Sequence, residues 1–279
     1  MRALLLGFGD LGQRLAARLL RDGWQVTGVR RSRAQVSGVE MIAGDCRDPA
    51  LLATLLAGRD LVVASLTPDS FTEEAYREAY VASARALAEA LAGLADKPRL
   101  VLWVSSTSVY GQGEGEWVDE KTPPAPSGFS GRLLLAAERE LAAADAPTAI
   151  VRFSGIYGGG SKRMLDQVRR GQCAPESPVQ WSNRIHRDDC AGVLHHLAAL
   201  ALAGEPLAPV YLGTDCEPAP LHQVHRWLAE QLGVAVAVGN SAAGRRGNRR
   251  CSNRLLLESG YRFLYPSYRE GYAEDLSGS

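Results

Sequence analysis

Six residues near the start, Gly7-Phe8-Gly9-Asp10-Leu11-Gly12, constrain the fold of this chain most strongly. They follow an apolar run, Arg2 to Leu6, without a break and open an amphipathic stretch that continues to Arg21. A buried strand that passes straight into a helix needs a tight turn, and glycine accepts positive φ without a steric penalty. Gly7 is expected to make that turn, Gly9 to let the backbone approach a bound group, and Gly12 to let the helix pack closely on the strand. The same rhythm continues in QVTGVR, VEMIAGD, LVVASL and RLVLWVSS, which alternate with helical stretches. Two of these are an alanine-rich run from Thr72 to Ala95, read as one long helix, and a run from Ser130 to Ala144. Short strands apolar on both faces need helices on both sides, and strict alternation of strand and helix implies a parallel sheet with crossovers.

The later sequence is looser. TAIVRFSGIYG reads as a further strand, followed by an irregular stretch to Ser182 and a helix in DDCAGVLHHLAALALA opened by Asp188 and Asp189. PLAPVYLGTD reads as a strand, Leu221 to Leu232 as an amphipathic helix and GNSAAGRRGNRR as a loop. The expected fold class is α/β: a Rossmann doubly wound parallel sheet over residues 1–158, with a smaller carboxy-terminal substrate lobe, residues 159–279, interleaved with it.

A glycine turn that opens a helix presents free N–H groups and the positive end of the helix dipole, which is a seat for a pyrophosphate. Where an NAD site carries an acid about 20 residues further on, this chain reads Gly28-Val29-Arg30-Arg31-Ser32-Arg33. Guanidinium groups in that place suit a 2′-phosphate, which takes forked, charge-assisted hydrogen bonds. Arg30, Arg31 and Ser32 are the expected ligands, and NADP(H) is expected in preference to NAD(H). The alternative reading is a solvated basic turn.

Composition narrows the partners. Lys and Arg together number 31, as do Asp and Glu, so net charge makes no case for nucleic acid or an anionic membrane surface. A small molecule is the expected partner. The first apolar stretch is too short for a signal-peptide core and no later run is long enough to span a membrane, so a cytoplasmic location is expected. The five cysteines, Cys46, Cys173, Cys190, Cys216 and Cys251, form no CxxC pair and are assigned no disulfide. The five histidines have no metal-binding spacing, and no metal is expected. Arg245, Arg246, Arg249, Arg250 and Arg254 gather late in the chain, either as a solvated loop or as a clamp for an anionic substrate.

Five segments in order resemble the extended short-chain dehydrogenase/reductase superfamily, the NAD(P)-dependent epimerases and dehydratases of nucleotide sugars. They are the glycine turn, Gly44-Asp45-Cys46-Arg47-Asp48, Val104-Ser105-Ser106-Thr107-Ser108-Val109-Tyr110-Gly111, Arg152-Phe153-Ser154-Gly155-Ile156-Tyr157-Gly158, and Asn183-Arg184-Ile185-His186-Arg187-Asp188-Asp189. The resemblance implies that Gly7, Gly9, Asp10, Leu11 and Gly12 cradle the pyrophosphate and that Asp45 and Cys46 border the adenine. It implies that Ser65, Leu66 and Thr67 run along the pyrophosphate and ribose, and that Ser105 and Ser106 lie near the nicotinamide. It also implies a homodimer paired through residues 72–95 and 130–144.

Two departures mark the chain as atypical. Its glycines are spaced two and three rather than three and three. The family's Tyr and Lys, in which the lysine holds the nicotinamide ribose and lowers the tyrosine pKa, fall at Ser130 and Leu134. Neither can replace them chemically. Ser106 and Tyr110 are left as catalytic candidates, with Tyr157 behind them. The implied activity is that of an oxidoreductase or epimerase acting on a carbonyl or hydroxyl of a polar, sugar-nucleotide-like substrate. The alternative is a catalytically degenerate NADP(H)-binding sensor or scaffold.

Overall fold

The computed structural model describes residues 1–159, 163–239 and 247–277. The chain runs β1 (Arg2–Leu6), α1 (Asp10–Arg21), β2 (Gln25–Arg30), β3 (Val39–Ala43), α2 (Pro49–Leu56), β4 (Leu61–Ala64), α3 (Glu73–Tyr76) and α4 (Ser83–Ala92). It continues through β5 (Leu100–Ser106), β6 (Glu116–Val118), α5 (Phe129–Ala142), β7 (Thr148–Phe153), β8 (Gly155–Tyr157), α6 (Arg163–Arg169), β9 (Gln172–Cys173), β10 (Trp181–Ser182) and β11 (Arg184–His186). The remainder is α7 (Arg187–Leu202), β12 (Val210–Gly213), β13 (Ala219–Pro220), α8 (Leu221–Leu232), β14 (Ala237–Val238), β15 (Arg249–Cys251), α9 (Arg254–Glu258) and α10 (Tyr268–Ser277). Two compact units share these elements. The first comprises Met1–Val109, Pro126–Arg152 and Cys190–Tyr211; the second comprises Tyr110–Ala125, Phe153–Asp189 and Leu212–Ser279.

The seven-stranded sheet has the order β12-β7-β5-β4-β1-β2-β3. Its strands β3, β2, β1, β4 and β5 pair in parallel, with Leu5 of β1 level with Gly28 and Val63. Strand order reverses between β1 and β4, and an open parallel sheet binds its ligand beyond the carboxyl ends of the strands at that switch point. The glycine turn lies there. Beneath it, Leu4, Leu6, Val62, Ala64, Val101 and Trp103 pack with Leu87, Leu91, Ala137 and Leu141 of α4 and α5. Each such aliphatic side chain contributes about 1.5–3 kcal/mol by leaving water.

The run from Thr72 to Ala95 is not one regular helix. Thr72 caps it, its hydroxyl accepting from Ala75 N at 3.3 Å, but Arg77–Ala82 forms a π-helical turn between α3 and α4. Helix propensity does not reveal a widened turn, since it ranks residues for the α-helix alone; the tilted pair of Tyr76 and Tyr80, 5.4 Å between centroids, lies at its start. A single boundary at residue 158 also fails to describe the chain, because Cys190–Tyr211 belongs to the first unit and Tyr110–Ala125 to the second. β12 joins the sheet beside β7, so the helix between them serves as their crossover.

The second unit is built from short pairings, β8 with β11, β6 with β15 and β9 with β14 in parallel and β10 with β13 antiparallel. Its core gathers Tyr157, Leu165, Val168, Val224, Leu228, Tyr268 and Tyr272. The stretch expected to be irregular up to Ser182 contains α6, whose Leu165 and Val168 are its buried positions; three apolar residues were too few to signal a helix. Asp189 does more than open α7. Its carboxylate accepts from Tyr261 Oη at 2.7 Å, Leu264 N at 2.8 Å and Tyr265 N at 3.0 Å.

Asp215 is buried as well, and desolvation pushes its carboxyl up to about 7 against the attraction of Arg184. An acid raised in the fold lends stability that is complete below its ordinary range and is lost as pH rises through 7. Thermal melts of Asp215→Asn should therefore fall less between pH 5 and pH 8 than those of the native chain, leaving the variant several degrees more stable at pH 8. Parallel pH profiles would refute this reading of Asp215.

Candidate functional site

A cleft of about 1090 Å³ opens in the first unit at the ends of β1, β2, β3 and β4. Gly7 has φ +75° and sits against β4: a Cβ there would stand 2.7 Å from the carbonyl oxygen of Ser65. The turn is fastened by Gly7 N and Phe8 N, which donate to Val29 O at 3.1 and 2.9 Å, and by Ser65 Oγ, which donates to Gly7 O at 3.3 Å. Gly9 precedes α1 with no side-chain cap, and a Cβ on it would meet nothing nearer than Gly7 O at 3.9 Å. Open space before an uncapped helix start is what a pyrophosphate requires, so the cradle fits the group.

Of the expected coenzyme residues, Gly7, Gly9, Arg30, Arg31, Ser32, Asp45, Cys46, Ser65, Leu66 and Thr67 all line this cleft. Asp10, Leu11, Gly12 and Ser105 are not part of its lining. Asp10 is turned to Arg14, Nε to Oδ2 at 3.2 Å, and Gly12 faces Phe8 within the turn.

Charge is distributed across the cleft in paired groups. Arg31 forks onto Asp69, with Nη1 2.5 Å from Oδ2 and Nη2 also donating to Oδ1. Arg47 holds Asp45, Nη2 to Oδ2 at 2.6 Å, and donates from Nη1 to Glu78. The hydrogen bond from Arg47 keeps the Asp45 carboxyl below the usual carboxylate range. Burial pushes the Cys46 thiol up to about 11, which leaves it protonated and unreactive near neutral pH. Arg47, Asp69 and Glu78 were not singled out from the sequence. Arg47 stood within a quoted motif, whereas Asp69 and Glu78 carry no local signal, because their meaning arises only when the sheet brings them opposite the two arginines.

At the end of β5, Ser105 Oγ donates to Glu138 Oε1 at 2.5 Å, and Arg152 donates to the same carboxylate from Nε at 3.1 Å and Nη2 at 2.6 Å. All three residues are at most 5 % exposed, so this is a desolvated network. Ser106 is half-buried, and its Oγ accepts from Ser108 N at 3.1 Å, which leaves its own proton to donate elsewhere. α5 passes so close that a Cβ on Gly131 would stand 2.3 Å from Ser108 O. Next to it Ser130 is half-buried and Leu134 is buried in the core.

The tyrosines proposed from sequence belong to the second unit. Tyr110 is 1 % exposed and its hydroxyl donates to Asp119 O at 2.8 Å. Tyr157 donates to Ser267 O at 3.3 Å, and burial raises its pKa. The late arginines do not form one cluster among the described residues. Arg245 and Arg246 lie outside those residues, Arg249 is buried, Arg250 stacks over Trp117 and Trp181 at 5.0 and 4.8 Å, and Arg254 pairs with Glu258 at 3.4 Å. Alternating neighbours of a short strand face opposite ways, which separates residues adjacent in sequence. His186, Asp188 and Glu274 bring metal-ligand atoms within 4.8 Å of one another. The His186 ring also packs on Tyr265, 3.9 Å between centroids, and against the backbone at Gly158. No described helix is long and apolar enough to cross a membrane.

The cleft, its cradle and the sheet order define a dinucleotide-binding fold. The NAD(P)H-binding family model matches residues 7–199, and the chain belongs to that family as an atypical extended short-chain dehydrogenase/reductase. It is similar to a Methylobacillus flagellatus protein assigned to the NAD-dependent epimerase/dehydratases, at 38% identity and TM-score 0.81, over 99% of this chain and 98% of that one. Protein YeeZ of Escherichia coli strain K12 is 28% identical over 95% of this chain and 96% of its own length. Human epimerase family protein SDR39U1, solved with NADPH, covers all of both chains at 21% identity and TM-score 0.81.

Proposed function

We propose that the chain is an NADP(H)-dependent enzyme that oxidises or reduces a carbonyl or hydroxyl of a polar, sugar-nucleotide-like substrate. The observation that carries the coenzyme choice is the wall of Arg30, Arg31 and Ser32 on the cleft, at the place where an NAD site carries an acid. Gly7 and Gly9 would admit the pyrophosphate, the guanidinium groups would take the 2′-phosphate, and Leu66 and Thr67 would flank the ribose. When bound, the coenzyme supplies or accepts a hydride. For the chain's own part, Ser106 would orient the substrate oxygen, donating the proton that its contact with Ser108 leaves available. Ser105, Glu138 and Arg152 hold the β5 end rigid beneath it. Tyr110 already uses its phenol proton on Asp119, so its weight in this reading shifts from chemistry to stability. The alanine-rich surfaces of α4 and α5 are the proposed pairing faces of a homodimer, by kinship.

Fluorescence titration tests the coenzyme choice. NADPH should bind at least tenfold more tightly than NADH, and Arg30→Ala with Arg31→Ala should erase most of that margin, since each charge-assisted contact is worth about 1.5–3 kcal/mol. Equal affinities in the native protein would defeat it.

A second reading rests on Leu134, an aliphatic side chain packed into the core where the family's lysine would hold a ribose. Such a protein would bind NADP(H) and turn nothing over, as a redox sensor or scaffold. NADPH oxidation against carbonyl and nucleotide-sugar substrates separates the two: turnover that collapses in Ser106→Ala supports the enzyme, and none in any assay supports the sensor.

A further inference from the structure

The basic wall that favours a 2′-phosphate is opposed by anions of the chain itself. Asp45, Asp69, Glu74 and Glu78 line the same cleft as Arg30, Arg31 and Arg47. The pair between Arg31 and Asp69 differs from the others in its geometry. Arg31 follows β2 and Asp69 follows β4, so the pair reaches across the carboxyl end of β1, which lies between those two strands in the sheet. It is forked, with both terminal nitrogens of Arg31 on the two oxygens of one carboxylate. That is the arrangement a phosphate would need from the same guanidinium. Arg47 also grips both oxygens of Asp45, through Nε and Nη2, but it gives its other terminal nitrogen to Glu78. The Arg31 and Asp69 side chains are 59 % and 67 % exposed, so water reaches the pair and it exchanges readily.

We infer that Asp69 is a built-in stand-in for the 2′-phosphate, a specificity-determining residue whose carboxylate must leave Arg31 before that phosphate can take its place. This rests on the NADP(H) reading of the site but makes a separate claim. Asp69 sets how strongly the protein prefers NADPH, by competing with the one group that distinguishes it from NADH. A carboxylate at this position keeps the arginine oriented while the cleft is open and weakens the final grip, so that the coenzyme can be released.

Titration of the full chain with NADPH and with NADH, followed by nicotinamide fluorescence, tests the inference in Asp69→Asn and Asp69→Glu. Loss of the competing charge in Asp69→Asn should tighten NADPH by about three- to tenfold, leaving NADH within about twofold. Asp69→Glu, which keeps the charge, should stay near the native values for both. The inference is overturned if Asp69→Asn leaves NADPH affinity unchanged or weaker, or tightens both coenzymes equally. The native comparison decides the coenzyme reading independently. Native affinities that are equal, with selective tightening of NADPH in Asp69→Asn, would sink that reading and support this one; a native preference that Asp69→Asn does not move would do the reverse. Since Asp69 is largely exposed, its variants should fold, and unchanged melting temperatures confirm that the comparison is of binding alone.

Discussion

Glu138→Ala should destabilise the protein by about 3–5 kcal/mol, enough to unfold a marginal domain at growth temperature. Its carboxylate is the common acceptor of Ser105 and Arg152, and all three side chains are out of water. Removing it leaves the buried guanidinium without its carboxylate, a penalty much larger than the net worth of the pair. Urea denaturation followed by circular dichroism gives the value. The double replacement Glu138→Leu with Arg152→Met separates the cost of a buried charge without its counter-ion from the worth of the network. It should recover most of the loss, because apolar residues of similar size carry no desolvation penalty. If Glu138→Ala unfolds at the native midpoint, the network does not hold the end of β5.

Gly7→Ala and Gly9→Ala should part company, the first with the largest loss of coenzyme binding. At Gly7 the backbone has φ +75° and the new Cβ would press on Ser65 O at 2.7 Å. The turn must shift, at about 1–3 kcal/mol of strain, and the aligned amides shift with it; NADPH affinity should fall by about a hundredfold and the melting temperature should drop. Gly9 has an ordinary extended φ of −103° and free space before it. Alanine there fits the empty protein but occupies the cradle, so binding should weaken while stability holds. Calorimetric titration beside thermal melts reads both quantities. A Gly9→Ala variant that binds NADPH as well as the native chain would place the pyrophosphate elsewhere.

The sheet was legible because its signals are local: apolar runs of strand length, glycines between strand and helix, and basic residues where an acid belongs. Ten of the expected residues line the cleft for the same reason, since each lies at the end of a strand that the sequence announces. Asp69 and Glu78 were not legible. A carboxylate in a turn or on a helix face looks solvated until the fold sets an arginine opposite it. Tyr110 shows the converse limit, because a motif can nominate a phenol without saying that Asp119, nine residues on, takes its proton. The π-helical turn after Tyr76 escaped because no residue preference distinguishes it from the α-helix on either side.

The first unit is drawn from three separated stretches of chain, and this imposes an order on its synthesis. When a ribosome has completed Phe153, β7 has β5 on one side and nothing on the other, because its outer neighbour β12 begins only at Val210. At roughly 5–20 residues per second, about 3–12 seconds pass before Gly213 is made. Through that interval the nascent protein carries an apolar strand, TAIVRF, with a row of unpaired backbone groups, open to any other strand that meets it.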